Sequence, residues 1–210
     1  MFLRFDIYYF FLFFILMKSH AFNRKKKISQ TQSRDGTVKA TSLGGQIWEF
    51  EVKLPDGPRW TEYRPLIEAM EALDRTTVGQ VQISHSGLSW LNEYRGNVAS
   101  PNSITASFSS GNTITITGGI GGLSSGYILR AGDFIQLGST GSVYTVVSDV
   151  AYNQTAVTLN RPVREAAGNY TLRVGPSVTW NVICVNFPQW TIFARDQVSW
   201  NGSFIFAEAL

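Results

Sequence analysis

Two carboxylates, Asp133 and Asp149, sit within the stretch LRAGDFIQLGSTGSVYTVVSDV at residues 129–150. A pair of carboxylates facing each other across an aromatic-walled cleft can hydrolyse a glycosidic bond, one as acid and the other as base or nucleophile. Large aromatics around this pair are few: Phe108, Phe134, Tyr144, Tyr152 and Tyr170. Gly132-Asp133 at the start of a strand is also a turn signal, in which the carboxylate accepts from nearby backbone N–H groups. The turn role is the one expected of Asp133. Gly122-Leu123-Ser124-Ser125-Gly126 also mimics a catalytic motif, since it matches G-x-S-x-G. A nucleophile elbow needs a strand turning sharply into a helix, with an Asp and then a His later in the chain. Here the match lies in a Gly/Ser-rich connection, and both histidines, His20 and His85, precede the serine. The GGIGG run at residues 118–122 precedes no helix whose N-terminus could hold a phosphate, so it reads as a turn.

The two histidines and the single cysteine are scattered without zinc spacing. Cys184 alternates with Trp180 and Val182, which predicts a buried structural thiol. One cysteine also excludes an internal disulfide framework. The expectation is therefore a chain with no catalytic group, no metal, no cofactor and no small-molecule substrate.

The elements that carry these residues read as mostly β. Residues 46–55, QIWEFEVKLP, alternate with Trp48, Phe50, Val52 and Leu54 on one face, as a half-buried strand does. RPLIEAMEALDR at residues 64–75 predicts the one helix, with Pro65 in its first turn and Leu66, Ile67, Met70 and Leu73 on one stripe. Residues 98–129 carry no charge and are rich in Thr, Ser, Gly and Asn. Turn residues then recur about every ten positions, the rhythm of a small β-barrel or sandwich. Aromatic strands return at the end, in SVTWNVICVNF, PQWTIF and SFIFAEAL. The predicted organisation is an extended arm at 1–43, a β body from 44–97 and 175–210, and an inserted β module at 98–174. Trp48, Phe50, Leu66, Met70, Phe134, Trp180, Phe204 and Phe206 are the expected core anchors.

The chain has 210 residues, 44% of them hydrophobic and 16% charged, with a net charge of +3. That balance excludes a disordered chain. Much of the positive charge lies in one run, Arg24, Lys25, Lys26 and Lys27, so the body is near neutral and is not built to grip nucleic acid specifically. This run, with Arg34 and Lys39, is the expected interface set. Ahead of it lies an apolar stretch from Ile7 to Met17, shorter than the roughly 20 residues of a transmembrane span. It has features of a secretory h-region, with Ser19-His20-Ala21 like a cleavage site, although Asp6 and the trailing basic run fit that poorly. An apolar arm, or a chain whose true start is Met17, is the other reading. Residues 29–45 have no helical period and are expected to be ordered only when laid on a neighbour.

Four stretches in order, LGGQIWEFEVKLP, LRAGDFIQLGSTGSVYTVVSDV, LNRPVREA and the terminal FIFAEAL, resemble tail-associated virion proteins of tailed bacteriophages. The contractile-tailed phages of cyanobacteria give the nearest likeness. It spans most of residues 42–210; Ile47 stands where the family often has Arg, and the hydrophobic N-terminus lies outside it. The resemblance implies a tail-tube-like β-sandwich or barrel body with one short helix, an inserted small β-barrel module and an extended arm. It also implies a non-enzymatic part made in the host cytoplasm and found in the virion. As a distal-tail, baseplate-like protein it would form a homo-oligomeric ring, a hexamer by preference, against the tail tube and the baseplate hub or wedge. A secreted or surface-anchored β-sandwich that binds glycan is the alternative, and a tail-associated hydrolase using Asp133 or Asp149 is a third.

Overall fold

The computed structural model describes residues 19–25, 28–32, 34, 36, 38–42, 46–54, 56, 57, 59–71, 78–83, 86–139, 141–193 and 196–209. The first part of the chain forms β1 (Ser19–Lys25), β2 (Ile28–Gln32), β3 (Val38–Ser42), β4 (Ile47–Lys53), helix α1 (Trp60–Glu71) and β5 (Gly79–Val81). The middle forms β6 (Thr105–Phe108), β7 (Thr113–Gly118), β8 (Tyr127–Leu129), β9 (Phe134–Leu137), β10 (Val143–Thr145), β11 (Val150–Ala151), β12 (Ala156–Thr158) and β13 (Gly168–Val174). The last part forms β14 (Trp180–Asn186), β15 (Gln189–Phe193), β16 (Gln197–Asn201) and β17 (Phe204–Glu208). The protein is mainly β, as the strand rhythm predicts. It divides into two compact units, one of residues up to Gly79 with Val182–Ala209, the other of Gln80–Asn181.

β1, β4, β17 and most of β14 belong to the first unit and follow one another in the five-stranded sheet of order β1-β4-β17-β14-β5. Because side chains alternate along a strand, β4 and the residue after it bury Trp48, Phe50, Val52 and Leu54 on one side. The antiparallel register sets Phe206 opposite Phe50 and Phe204 opposite Val52, so the aromatic face continues into β17. Phe22 of β1 stacks on Trp48 with centroids 4.6 Å apart and planes 2° from parallel. Phe204 and Phe206 are also buried. Burying side chains of this size stabilises by about 1.5–3 kcal/mol each. Helix α1 begins at Trp60, a turn before the predicted start, and Pro65 lies inside it. Its buried residues include Tyr63 and Ile67; the side chains of Leu66 and Met70 lie outside the described ones.

Residues 19–42 differ from the unpaired arm that their composition predicts. β1 pairs antiparallel with β4 over seven positions, from Ser19 with Lys53 to Lys25 with Ile47. β2 and β3 pair with each other, from Ile28 with Ser42 to Gln32 with Val38. The segment has too little apolar content to look like a core strand. Its backbone groups nevertheless find partners in β4 and in its own hairpin, as backbone N–H and C=O groups must. The apolar stretch from Ile7 to Met17 lies outside the described residues.

In the second unit a sheet of order β10-β9-β13-β6-β7-β12 curls until its two edge strands meet. The antiparallel bridge Val146 to Leu159 joins them, with Val147 N donating to Thr158 O at 2.9 Å and Asn160 N to Thr145 O at 3.0 Å. Closure removes the free edges that an open sheet would present. Ile104, Ile114, Ile128, Ile135, Leu137, Leu172 and Val174 fill the interior, most of them β-branched and suited to a pleated, enclosed surface. Phe134 and Trp180 are also buried here and meet edge to face at 5.6 Å.

The unit is wider than the predicted insertion of 98–174, since residues 80–97 and 175–181 belong to it. The reason is hydrogen bonding that no local pattern announces. Asn97 N donates to Tyr127 O at 2.8 Å and Tyr94 Oη to Ile128 O at 2.6 Å. At the exit, the buried Gln136 accepts from Thr179 N at 3.1 Å and donates to Thr179 O at 2.9 Å.

Candidate functional site

The GDF turn lies at the start of β9. Gly132 sits at φ +93°, a left-handed conformation that favours glycine. Asp133 N donates to Arg130 O at 3.0 Å, and Arg130 N donates back to Asp133 Oδ2 at 2.8 Å. Asp133 Oδ1 accepts from Arg95 N at 3.2 Å and lies 3.7 Å from Arg95 Nε. The Arg95 guanidinium also donates to Ala131 O. Ala131 N donates to Asp149 Oδ1 at 2.8 Å, so the second carboxylate holds the same turn. Two further bonds, Gly132 N to Val146 O at 2.8 Å and Val146 N to Asp133 O at 3.0 Å, tie the turn to the closing bridge.

Asp133 is buried, and burial raises its carboxyl above the ordinary carboxylate range. The Arg130 and Arg95 backbone N–H groups and the Arg95 charge pull the other way. Both aspartates of residues 129–150 therefore serve as acceptors for one turn, with Asp133 acting as the predicted turn residue.

A second polar cluster joins Tyr144, named above only as an aromatic near the carboxylate pair, to residues of the LNRPVREA stretch. Tyr144 Oη donates to Glu165 Oε2 at 2.6 Å, and Ser142 N donates to Glu165 Oε1, also at 2.6 Å. Arg164 N donates to Tyr144 Oη at 2.9 Å. The buried Arg161 lies with its Cζ 5.0 Å from the Tyr144 ring centroid and donates from Nη2 to Val143 O at 2.9 Å. Burial first, and then the Glu165 carboxylate, push the Tyr144 phenol far up. The one sequence signal is the RPVRE stretch, whose closely spaced charges look like an exposed turn; only closure of the sheet puts Tyr144 beneath them.

The other predicted chemical residues stay apart. Ser124 lies in a loop from β7 that leads into a strand, β8, rather than a helix, and Gly119, Gly121 and Gly122 all take positive φ in the same loop. Cys184 is partly exposed rather than buried, with its Sγ 3.4 Å from Asn186 O. The register shifts between Cys184 and Asn186, which turns the side chain off the alternating pattern. His20 lies in β1, and His85 is outside the described residues. Among the described residues no three His, Cys, Asp or Glu side chains group as metal ligands, and no helix is long and apolar enough to cross a membrane.

Of the expected interface set, Arg24 lies over the Trp48 ring at 5.3 Å and Lys25 pairs with Glu49 at 2.6 Å. Arg34 is exposed between β2 and β3. Lys39 is in β3 with its side chain outside the described ones, as are Lys26 and Lys27 entirely.

Among the described residues, exposed apolar groups of the first unit include residues of β15 and the end of β14. Val185 is 58% exposed, Ile192 49% and Phe193 45%. Among the described residues β15 pairs only with β16, from Gln189 with Asn201 to Phe193 with Gln197. Trp190 is stacked on Trp60 of α1 at 4.8 Å, which anchors the base of this hairpin to the unit. The outer face of the second unit has another character: Thr105, Ser107, Thr113, Thr115, Thr117 and Asn169 present hydroxyls and an amide without charge. The chain matches no protein-family model and no curated protein.

Proposed function

We propose that this chain is a structural component of a bacteriophage tail, assembling as a ring at the distal tail or baseplate and joining the tail tube to its neighbours. The observation that carries the reading is the β15 hairpin, whose outer strand is apolar, exposed and, among the described residues, paired on one edge only. Natural proteins protect such edges unless another chain covers them. The ordered likeness of four sequence stretches to tail-associated proteins supports the same reading, and the aspartates at the centre of the chain are engaged as turn acceptors. Antibody-gold labelling of purified particles tests it. Label at the tail end supports the reading, and particles that lack the chain by mass spectrometry refute it.

The uncharged hydroxyl face of the second unit favours one other reading, a module that binds a neutral glycan. Binding of the purified chain to polysaccharide, lost in Thr115→Lys, would support that reading instead.

A further inference from the structure

We infer that the open edge of β15 is the seat for the β2–β3 hairpin of a second copy of this chain. The inference rests on the ring reading above and names its seam.

Three observations lead there. The first is the edge itself. β15, QWTIF, has no charge and no proline within it. By contrast β1, an outer strand of the five-stranded sheet, carries Arg24 and Lys25, and β5 at the opposite edge is three residues long. Charge and shortness are the usual protections of an edge, and β15 has neither. In the second unit the outermost strands of the main sheet meet each other at the closing bridge.

The second is the hairpin. β2 and β3 form a two-stranded sheet that joins no larger one among the described residues. A lone two-stranded hairpin is marginal in water, and a third strand with an apolar face is what stabilises it. Strand addition at β15 completes two incomplete sheets in one step, with main-chain hydrogen bonds giving affinity.

The third is charge. The start of helix α1 is tied to β16, with Trp60 N donating to Asp196 O at 2.7 Å and Asp56 accepting from Ser199 Oγ at 3.0 Å and from Trp200 N at 2.9 Å, and it meets β15 through the Trp60–Trp190 stack. In sequence, residues 56–71 and 189–201 carry Asp56, Glu62, Glu68, Glu71 and Asp196 against Arg59, Arg64 and Arg195. Glu62 and Glu68 are exposed. The β1–β3 segment is the reverse: Arg24, Lys25, Lys26, Lys27, Arg34 and Lys39 stand against Asp35 alone. Opposite charge steers the approach and fixes the register. Each chain carries one seat and one hairpin, so copies can join head to tail, the heterologous arrangement that closes into a ring.

The test uses the full chain carrying Cys184→Ala. Sedimentation velocity compares it with the same chain carrying Thr191→Lys and Ile192→Lys together, and with one carrying Glu62→Lys and Glu68→Lys. Both variants should keep the parent circular dichroism and weaken association about tenfold or more. A short bismaleimide then links chains bearing Thr191→Cys to isotopically labelled chains bearing Thr41→Cys. A cross-link between residues 191 and 41 of differently labelled chains is expected. Assembly that persists in both lysine variants overturns the seam and leaves the ring reading standing. A dominant link from 191 to 191 when Thr191→Cys chains are treated alone also overturns it, because β15 then pairs with itself. A chain that stays monomeric at about 100 µM overturns the seam and the ring reading together.

Discussion

Arg130 and Asp133 hold each other in both directions: Arg130 N donates to Asp133 Oδ2 at 2.8 Å, and Asp133 N donates to Arg130 O at 3.0 Å. The turn between them sets the start of β9 and, through Gly132 and Val146, the place where the sheet closes. Asp133→Ala removes the acceptor for Arg130 N and Arg95 N and leaves polar groups stranded at a buried turn. A loss of about 2–4 kcal/mol is expected, seen as a lower urea midpoint at constant m-value.

The same carboxylate has a defined pH signature. Burial raises its folded-state pKa above the ordinary aspartate value, so the native state holds the proton more tightly than the unfolded chain. The resulting stabilisation is fully present below the unfolded pKa and is lost as pH rises through the folded one. Carboxyl NMR should show Asp133 titrating above the range of exposed aspartates; a midpoint below that range would contradict the role of burial.

Gly132→Ala tests the turn from the backbone side. At φ +93° an L side chain is strained, and its Cβ would lie 3.0 Å from Arg95 Nη2. The expected cost is about 1–2 kcal/mol in thermal or urea unfolding. An unchanged midpoint would show that the turn relaxes freely.

Tyr144→Phe should cost about 1–3 kcal/mol, since Glu165 Oε2 loses its donor and Arg164 N its acceptor. Ultraviolet titration should show one late-ionising tyrosine fewer in the variant than in the wild type, since burial and Glu165 push the Tyr144 phenol up.

Trp48→Ala should cost about 3–5 kcal/mol as a large core truncation, because the ring is buried against Phe22 and shares its face with Phe50. Unaltered melting of the soluble variant would mean that the face is turned outward.

Periodicity alone carries the fold class and several strand faces. The alternation at 47–54 names the buried side of β4, and Gly132-Asp133 announces its own turn, because both are short-range consequences of side-chain direction and backbone preference. The limits of the second unit are not legible in the same way. Tyr94 to Ile128 and Gln136 to Thr179 join residues 34 and 43 positions apart, and such bonds leave no periodic trace.

Residues 19–42 show the same boundary from the other side. Polar strands such as β2 and β3 lack the apolar alternation by which strands are recognised, since their order rests on backbone pairing rather than on a buried face. The Tyr144–Glu165–Arg161 cluster likewise needs closure of the sheet, which buries Tyr144 and Arg161 and leaves Glu165 half-buried between them and solvent. Local side-chain pattern thus dictates which segments become strands of a β protein and which dipeptide turns the chain. Which polar residues lie inside and which strand edges stay open follows from the assembled fold, because burial and edge pairing depend on partners distant in the chain.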